Sequence, residues 1–178
     1  MSRCDNLGHR DSAAVTAADL RISGELCIEP AAPTDAALLH GIAERCFSSP
    51  WSEVTFASML GERGCAFYIA RSGCSAVGFC AVRAASDEGE LLDIAVLPEH
   101  RRGGIGTALL GAGLAYLWDA GTERIFLEVR VSNSAAQSMY ASCGFVACGV
   151  RKKYYSAPTE DAAVMVLDLS DERDRASG

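Results

Sequence analysis

Residues 96–110 read VLPEHRRGGIGTALL: the apolar end of a strand, a proline, a basic glycine-rich turn and the opening of an apolar helix. A strand that passes through glycines into a helix start aims several free backbone N–H groups at one point, and an anion fits there. Gly104 and Gly106 let the backbone approach a phosphate, Arg101 and Arg102 add charge, and Thr107 brings a hydroxyl into the first helical turn. Read from glycine spacing alone, a helix start with glycines for tight packing accounts for the segment equally well. The chain has no G-K-[ST] for a P-loop and no G-x-G-x-x-G after its first strand, so two familiar nucleotide motifs are excluded.

Upstream of the turn, residues 91–96 form an apolar strand closed by Pro98. Before it, 66–71 and 76–83 are rich in aromatic and branched residues, with Ser72-Gly73 suited to a hairpin and Asp87-Glu88-Gly89 to a second turn. The folded part opens with a short strand at 26–28. Leu38, Leu39, Ile42, Ala43 and Cys46 then recur at helical spacing. A second helix starts from Ser52 as N-cap, carries Val54, Phe56, Met59 and Leu60, and stops at Gly61.

Downstream, 104–120 carries two apolar stripes, Ile105, Leu109, Ala112 and Tyr116 beside Leu110, Leu114 and Leu117, which predicts a largely buried helix. Its Gly111 and Gly113 each cost roughly 1 kcal/mol relative to Ala, a cost that close packing explains. A strand follows at 125–131, then a short helix at 134–142 with Ser134 and Gln137 as a capping box and Gly144 as its stop, then strands at 145–150 and 164–169. The order β-α-α-β-β-β-α-β-α-β-β implies an α/β domain with a mixed, mostly antiparallel central sheet flanked by helices.

The chain has 178 residues, of which 49% are hydrophobic, enough for one domain with a core of its own. Residues 1–23 read as a disordered extension, 24–170 as the folded domain and 171–178 as a polar tail. A net charge of −7 speaks against direct nucleic-acid binding and suits a basic acceptor instead. Basic residues cluster only at Arg101-Arg102 and at Arg151-Lys152-Lys153. No apolar run approaches the roughly 18 residues of a membrane span, and the first residues mix charges where a signal peptide would be apolar, so a cytoplasmic protein is expected. The eight cysteines include no C-x-x-C pair, which removes the usual zinc signature, and no metal is expected.

The turn gains meaning from LEVRVSNSAAQSMYASCGF at 127–145. Together the two segments resemble the GCN5-related N-acetyltransferase (GNAT) superfamily, whose acetyl-coenzyme A motif [RQ]-x-x-G-x-[GA] matches Arg101 to Gly106. The resemblance covers nearly all of the expected fold. It is closest to the RimI family of bacterial ribosomal-protein-alanine N-acetyltransferases, because SPWSE at 49–53, DIAV at 93–96, LEVR at 127–130, SNSAA at 132–136, MYASCGF at 139–145 and RKKYY at 151–155 fall in that family's order.

The resemblance implies a GNAT fold and acetyl transfer from acetyl-coenzyme A to the N-terminal alanine of a ribosomal protein, by direct attack in a ternary complex; the alternatives are a GNAT acetyltransferase for another protein N-terminus, a lysine or a small-molecule amine, and a non-catalytic acyl-coenzyme A sensor. It makes Glu128 the general base, directly or through water, whereas the residue alone reads as an exposed strand glutamate or the partner of Arg130. Ile125, Leu127, Val129 and Val131 share the other face of that strand. Tyr140 matches the family's general acid, which protonates the departing thiolate; alone it reads as a core aromatic at helical spacing with Ala136 and Cys143.

Asn133 matches a cofactor-binding asparagine and also suits an N-cap. The cofactor set implied by the resemblance comprises Ile94, Ala95, Val96, Arg101, Arg102, Gly103, Gly104, Ile105, Gly106, Thr107 and Asn133, with the oxyanion contact at the Val96 amide. Tyr154 and Tyr155 match a loop bordering the acceptor peptide; their other reading is a pair closing a strand edge. Ser156 stands where proline is usual and Val131 where alanine is usual, and both touch substrate detail more than catalysis. A covalent route through Cys143 is disfavoured because none of His9, His40 and His100 lies in its motif. A monomer is expected.

Overall fold

The computed structural model describes residues 26–170 and Arg173; the extension at 1–23 lies outside the described residues. The elements run β1 (Leu26–Pro30), α1 (Ala36–Cys46), α2 (Glu53–Leu60), β2 (Cys65–Ser72), β3 (Ser75–Ala85), β4 (Glu88–Val96), α3 (Ile105–Asp119), β5 (Arg124–Arg130), α4 (Ser134–Ser142), β6 (Val146–Ser156) and β7 (Thr159–Asp168). They build a seven-stranded sheet in the order β1-β2-β3-β4-β5-β7-β6. Only β4 and β5 run parallel among the described pairings; the others are antiparallel. The mixed, mostly antiparallel sheet flanked by helices is therefore the observed architecture.

Helices cover both faces. On one side Ile105, Leu109, Leu110 and Leu117 of α3 pack with Tyr140 of α4, Val82, Leu91, Ile125, Leu127 and Val129. On the other, Leu39, Ile42 and Ala43 of α1 and Phe56 of α2 pack with Phe67, Ile69 and Phe79. The Phe56 ring lies 5.5 Å from those of Trp51 and Phe79, both in tilted or edge contacts. Residues 77–82 of β3 are buried without alternation because this central strand has a helix layer on each side. The side chain of Ser52 accepts a hydrogen bond from Thr55 N–H at 3.1 Å, the N-cap expected for α2. No helix among the described residues is long and apolar enough to cross a membrane.

Several local readings change. The β2–β3 turn is Gly73-Cys74, since Ser72 pairs with Ser75, and the next turn is Ser86-Asp87, since Ala85 pairs with Glu88. Both differ by a residue or two because turn composition names the neighbourhood but not the register. A Cβ on Gly113 would lie 2.8 Å from Val82 Cγ1 and 3.1 Å from Cys80 Sγ, so this glycine lets α3 settle onto β3. Gly111 faces open space, and packing does not explain it.

Val131 falls after β5 and is 45% exposed, outside the apolar face assigned to it. The cap of α4 is Asn133, whose side chain accepts from Ala136 N–H at 3.1 Å. Gln137 does not complete a box with Ser134; its Nε2 donates to the carbonyls of Arg130 and Val131, each at 3.0 Å. Arg173, the one described residue of the stretch read as a polar tail, stacks over Trp118 at 4.2 Å and donates to the carbonyls of Trp118 and Thr122.

Candidate active site

The central opening follows from strand register. The parallel pairing of β4 with β5 ends at Leu91 opposite Leu127. Beyond it, Asp93 to Val96 pair only with β3, and Glu128 to Arg130 only with β7, so each strand turns an unladdered edge toward the other. The β3–β4 register shifts between Ala81 and Val82, which oppose Asp93 and Leu91 and leave Leu92 as the extra residue. Leu97 N–H donates to Val77 carbonyl at 2.9 Å. By the antiparallel alternation, the main-chain groups of Val96 and Ile94 then point away from β3, into the opening. The Val96 carbonyl there accepts from Arg101 Nε at 2.8 Å.

The glycine-rich turn stands at the mouth of this opening. Residues 98–100 form a single 3-10 turn, Arg102 adopts φ 68° and Gly104 φ 81°, and α3 starts at Ile105. Gly104 caps α3 with no side-chain hydrogen bond, so the N–H groups of Ile105, Gly106 and Thr107 keep their outward aim. These groups and the helix dipole form a concave donor set suited to phosphate oxygens. Gly106 also answers a packing need: a Cβ there would lie 3.1 Å from Met139 Sδ of α4. Gly103 borders the turn and is exposed, as are Arg101 and Arg102.

On the opposite wall, the alternation of β5 buries Ile125, Leu127 and Val129 against α3 and turns Glu128 to the other face. The Glu128 side chain is only 10% exposed, and its carboxylate pairs with Arg151 at 2.9 Å rather than with Arg130. Burial pushes its pKa up, with Arg151 opposing the rise and Glu90 adding to it. Arg130 instead pairs with Glu160 at 3.1 Å and donates to the carbonyls of Ala157 and Pro158. Ser48, in the α1–α2 connection, donates to the Ala157 carbonyl, so that connection meets the β6–β7 turn at the edge of the site.

Tyr154 and Tyr155 do not lie in a loop. They belong to β6, where the register with β7 shifts between Arg151 and Tyr155 and Lys153 takes φ 52°. The polar stretch RKKYYS reads as loop, yet an edge strand needs no buried face; Lys152 pairs with Asp161 at 2.7 Å and Lys153 N–H donates to the same carboxylate. The two rings meet edge to face at 5.1 Å. Tyr155 lies under the Arg130 guanidinium at 4.1 Å, and its hydroxyl donates to the Glu128 carbonyl at 3.3 Å. Burial, with Tyr154 beside it, pushes the Tyr155 phenol up to about 12.

Tyr140 is buried in α4, its ring 5.9 Å from Phe145. Burial, reinforced by Cys80 and Asp93, holds its phenol well above the usual range, so it carries its proton at neutral pH. Asp93 escaped the sequence reading. The residue keeps a little surface, but its carboxyl is packed about by protein and accepts only its neighbour Ile94's N–H at 3.1 Å, which leaves its pKa at about 7. An acidic residue inside the apolar run LLDIAV was the available signal. Arg151 was read as one of a basic cluster and as the start of the RKKYY match, without a role of its own; nothing local in sequence joins it to Glu128. Glu128 on β5, Asp93 on β4, the protonated phenol of Tyr140 on α4 and a turn of outward-aimed amides thus gather around the place where β4 and β5 part.

Comparison with known proteins bears on this arrangement. Residues 36–145 match the model of the acetyltransferase (GNAT) family. A [ribosomal protein bS18]-alanine N-acetyltransferase of Escherichia coli (strain K12) is 40% identical over 139 residues, covering 77% of this chain and 93% of that protein. A putative enzyme of the same description from Bacillus subtilis (strain 168) is 33% identical over 135 residues, covering 75% and 89%. The crystal structure of the ribosomal-protein-S18-alanine N-acetyltransferase from Escherichia coli superposes with a TM-score of 0.75 at 34% identity, covering 82% of this chain and 94% of that one.

Proposed function

The chain belongs to the acetyltransferase (GNAT) family, and from that membership we propose that it transfers acetyl from acetyl-coenzyme A to the N-terminal alanine amine of a ribosomal protein of the bS18 kind. The observation that carries the reading is the opening where β4 and β5 part, with Glu128 on one wall and the α3 amides at its mouth. The acceptor comes from the Escherichia coli relative, which aligns along nearly its full length. The acidic chain, at −7, suits a basic ribosomal protein.

In this reading the amides of Ile105, Gly106 and Thr107 hold the pyrophosphate, with Gly103 and Gly104 shaping the turn and Arg101 and Arg102 adding positive potential. The edge formed by Ile94, Ala95 and Val96 receives the thioester arm, and the Val96 amide faces the carbonyl oxygen, a donor set in advance of the charge that develops there. Asn133 borders the cofactor while capping α4. Tyr154 and Tyr155 flank the incoming terminus.

The acceptor arrives as an ammonium and must give up a proton before attack. Glu128 takes that proton, directly or through water, because burial brings its basicity closer to neutrality. Tyr140 gives its proton to the sulfur as the carbon–sulfur bond breaks, and the nitrogen's second proton restores the phenol, so one proton is released overall. Both substrates are held together and no acyl-enzyme forms. The protein acts in the cytoplasm as a monomer.

Incubation with acetyl-coenzyme A and an Ala-starting bS18 peptide should give a singly acetylated N-terminus by mass spectrometry. Free polyamines and aminoglycosides should be poor acceptors. Glu128→Gln should lower kcat by about 10²-fold or more near neutral pH; full activity in that variant would remove the base assignment. Equal or faster turnover of a small amine would move the acceptor elsewhere in the superfamily.

A further inference from the structure

The carboxylate that is to receive the acceptor already has a cation on it. Arg151 lies 2.9 Å from Glu128, and the two side chains are 59% and 10% exposed, so the arginine stands on the solvent side of a largely covered acid. The pair lines a cleft of about 380 Å³ together with Arg83, Glu90, Phe126 and Val164. Arg83 is held by Glu90 at 2.7 Å, which leaves Arg151 as the cation facing Glu128 across this cleft. Phe126 and Val164 give the cleft an apolar component, as a peptide side chain requires and a bare amine does not.

The backbone that carries Arg151 is suited to yielding. It belongs to the edge strand β6, exposed almost throughout, at the point where the ladder to β7 loses register. The guanidinium's other neighbour is the Tyr154 ring at 5.7 Å, itself half exposed, so a second resting place lies beside the first.

We propose that Arg151 is a specificity-determining residue, a resident competitor for the acceptor's ammonium at Glu128 that small amines fail to displace and peptides do. A peptide recovers the displacement cost because its main-chain carbonyls accept from the displaced guanidinium, whereas a small amine offers that guanidinium little and bears the whole cost. The inference rests on Glu128 being the residue that receives the acceptor amine.

The test compares Arg151→Gln and Arg151→Lys with the parent protein, using an Ala-starting bS18 peptide and a small primary amine such as ethanolamine, at a pH where Glu128 is ionised in every protein. Arg151→Gln should raise kcat/KM for the small amine about fivefold, the scale of one partly exposed ion pair, and lower the peptide-to-amine selectivity by a similar factor. The acid limb of the peptide kcat/KM profile should move to higher pH, because the carboxyl loses the cation that opposes its rise. Arg151→Lys should keep both properties near those of the parent.

Selectivity within twofold of the parent together with an unmoved acid limb would overturn the proposal. So would loss of both activities in Arg151→Gln with rescue by Lys, which would make the cation a helper rather than a competitor. A Glu128→Gln arm separates the two readings. Full peptide turnover there defeats the base assignment and this inference with it, whereas a large loss there with no change in Arg151→Gln defeats the inference alone.

Discussion

Replacing Asp93 by Asn should stabilise the protein above pH 7 and change little near pH 4. The carboxyl ionises at about 7 in the folded chain against 3.8 as its ordinary value, because burial penalises the charge and a single main-chain N–H compensates it only in part. Below the unfolded value both states hold the proton and the residue has no effect on stability. Between the two values the unfolded chain has released the proton and the folded chain has not, so stability falls as pH rises, by about 1.4 kcal/mol per unit. Across roughly three units the loss is on the order of 4 kcal/mol, a large share of a typical domain's stability.

Asn is close in shape and keeps an oxygen to accept the Ile94 N–H, so the substitution removes the ionisation and little else. Urea unfolding of both proteins from about pH 5 to about pH 9 reads the difference directly, and other titrating groups cancel in it. The gap should open through the window up to pH 7 and level off above it. A gap independent of pH, or one that favours the parent as pH rises, would refute the placement of a carboxyl without a cation in this interior.

Tyr140→Phe should lower kcat by about 10²-fold with a much smaller change in KM, measured by coenzyme A release; unchanged turnover would take the acid role from this residue. Asn133→Ala should destabilise the protein by about 1 kcal/mol in thermal or urea unfolding, since it removes the side chain that caps α4. The helix glycines should part company. Gly111→Ala should stabilise by up to about 1 kcal/mol, and Gly113→Ala should destabilise by about 1–3 kcal/mol as its methyl meets Val82.

Element order was legible from the sequence because its signals are local. Ser52 caps α2, the apolar spacing marks α1 and α3, and the alternation of β5 turns Glu128 away from its buried neighbours. The strand ends were less legible. β6 runs on through RKKYYS because its partner β7 supplies hydrogen bonds that side-chain composition does not announce.

The same division holds for the site. The turn at Arg101 to Thr107 and the motif residues Glu128, Asn133 and Tyr140 stand in continuous segments with recognisable patterns. The ion pair of Glu128 with Arg151 joins residues across two strands, and the isolation of Asp93 depends on what every neighbouring element fails to offer. Gly106 shows a limit of motif reading, since a motif position can also be set by packing, here against Met139.

The seam between β4 and β5 consists of four facing residue pairs, Glu88–Leu91 against Arg124–Leu127. Among the described residues it is the sheet's one junction between a leaf made of β1 to β4 and a leaf made of β5 to β7. Two leaves on so short a spine form a clasp, in which anything lodged between the free margins doubles as a fastener. Occupancy of the opening should therefore slow amide exchange on both leaves, well beyond the residues that touch the guest.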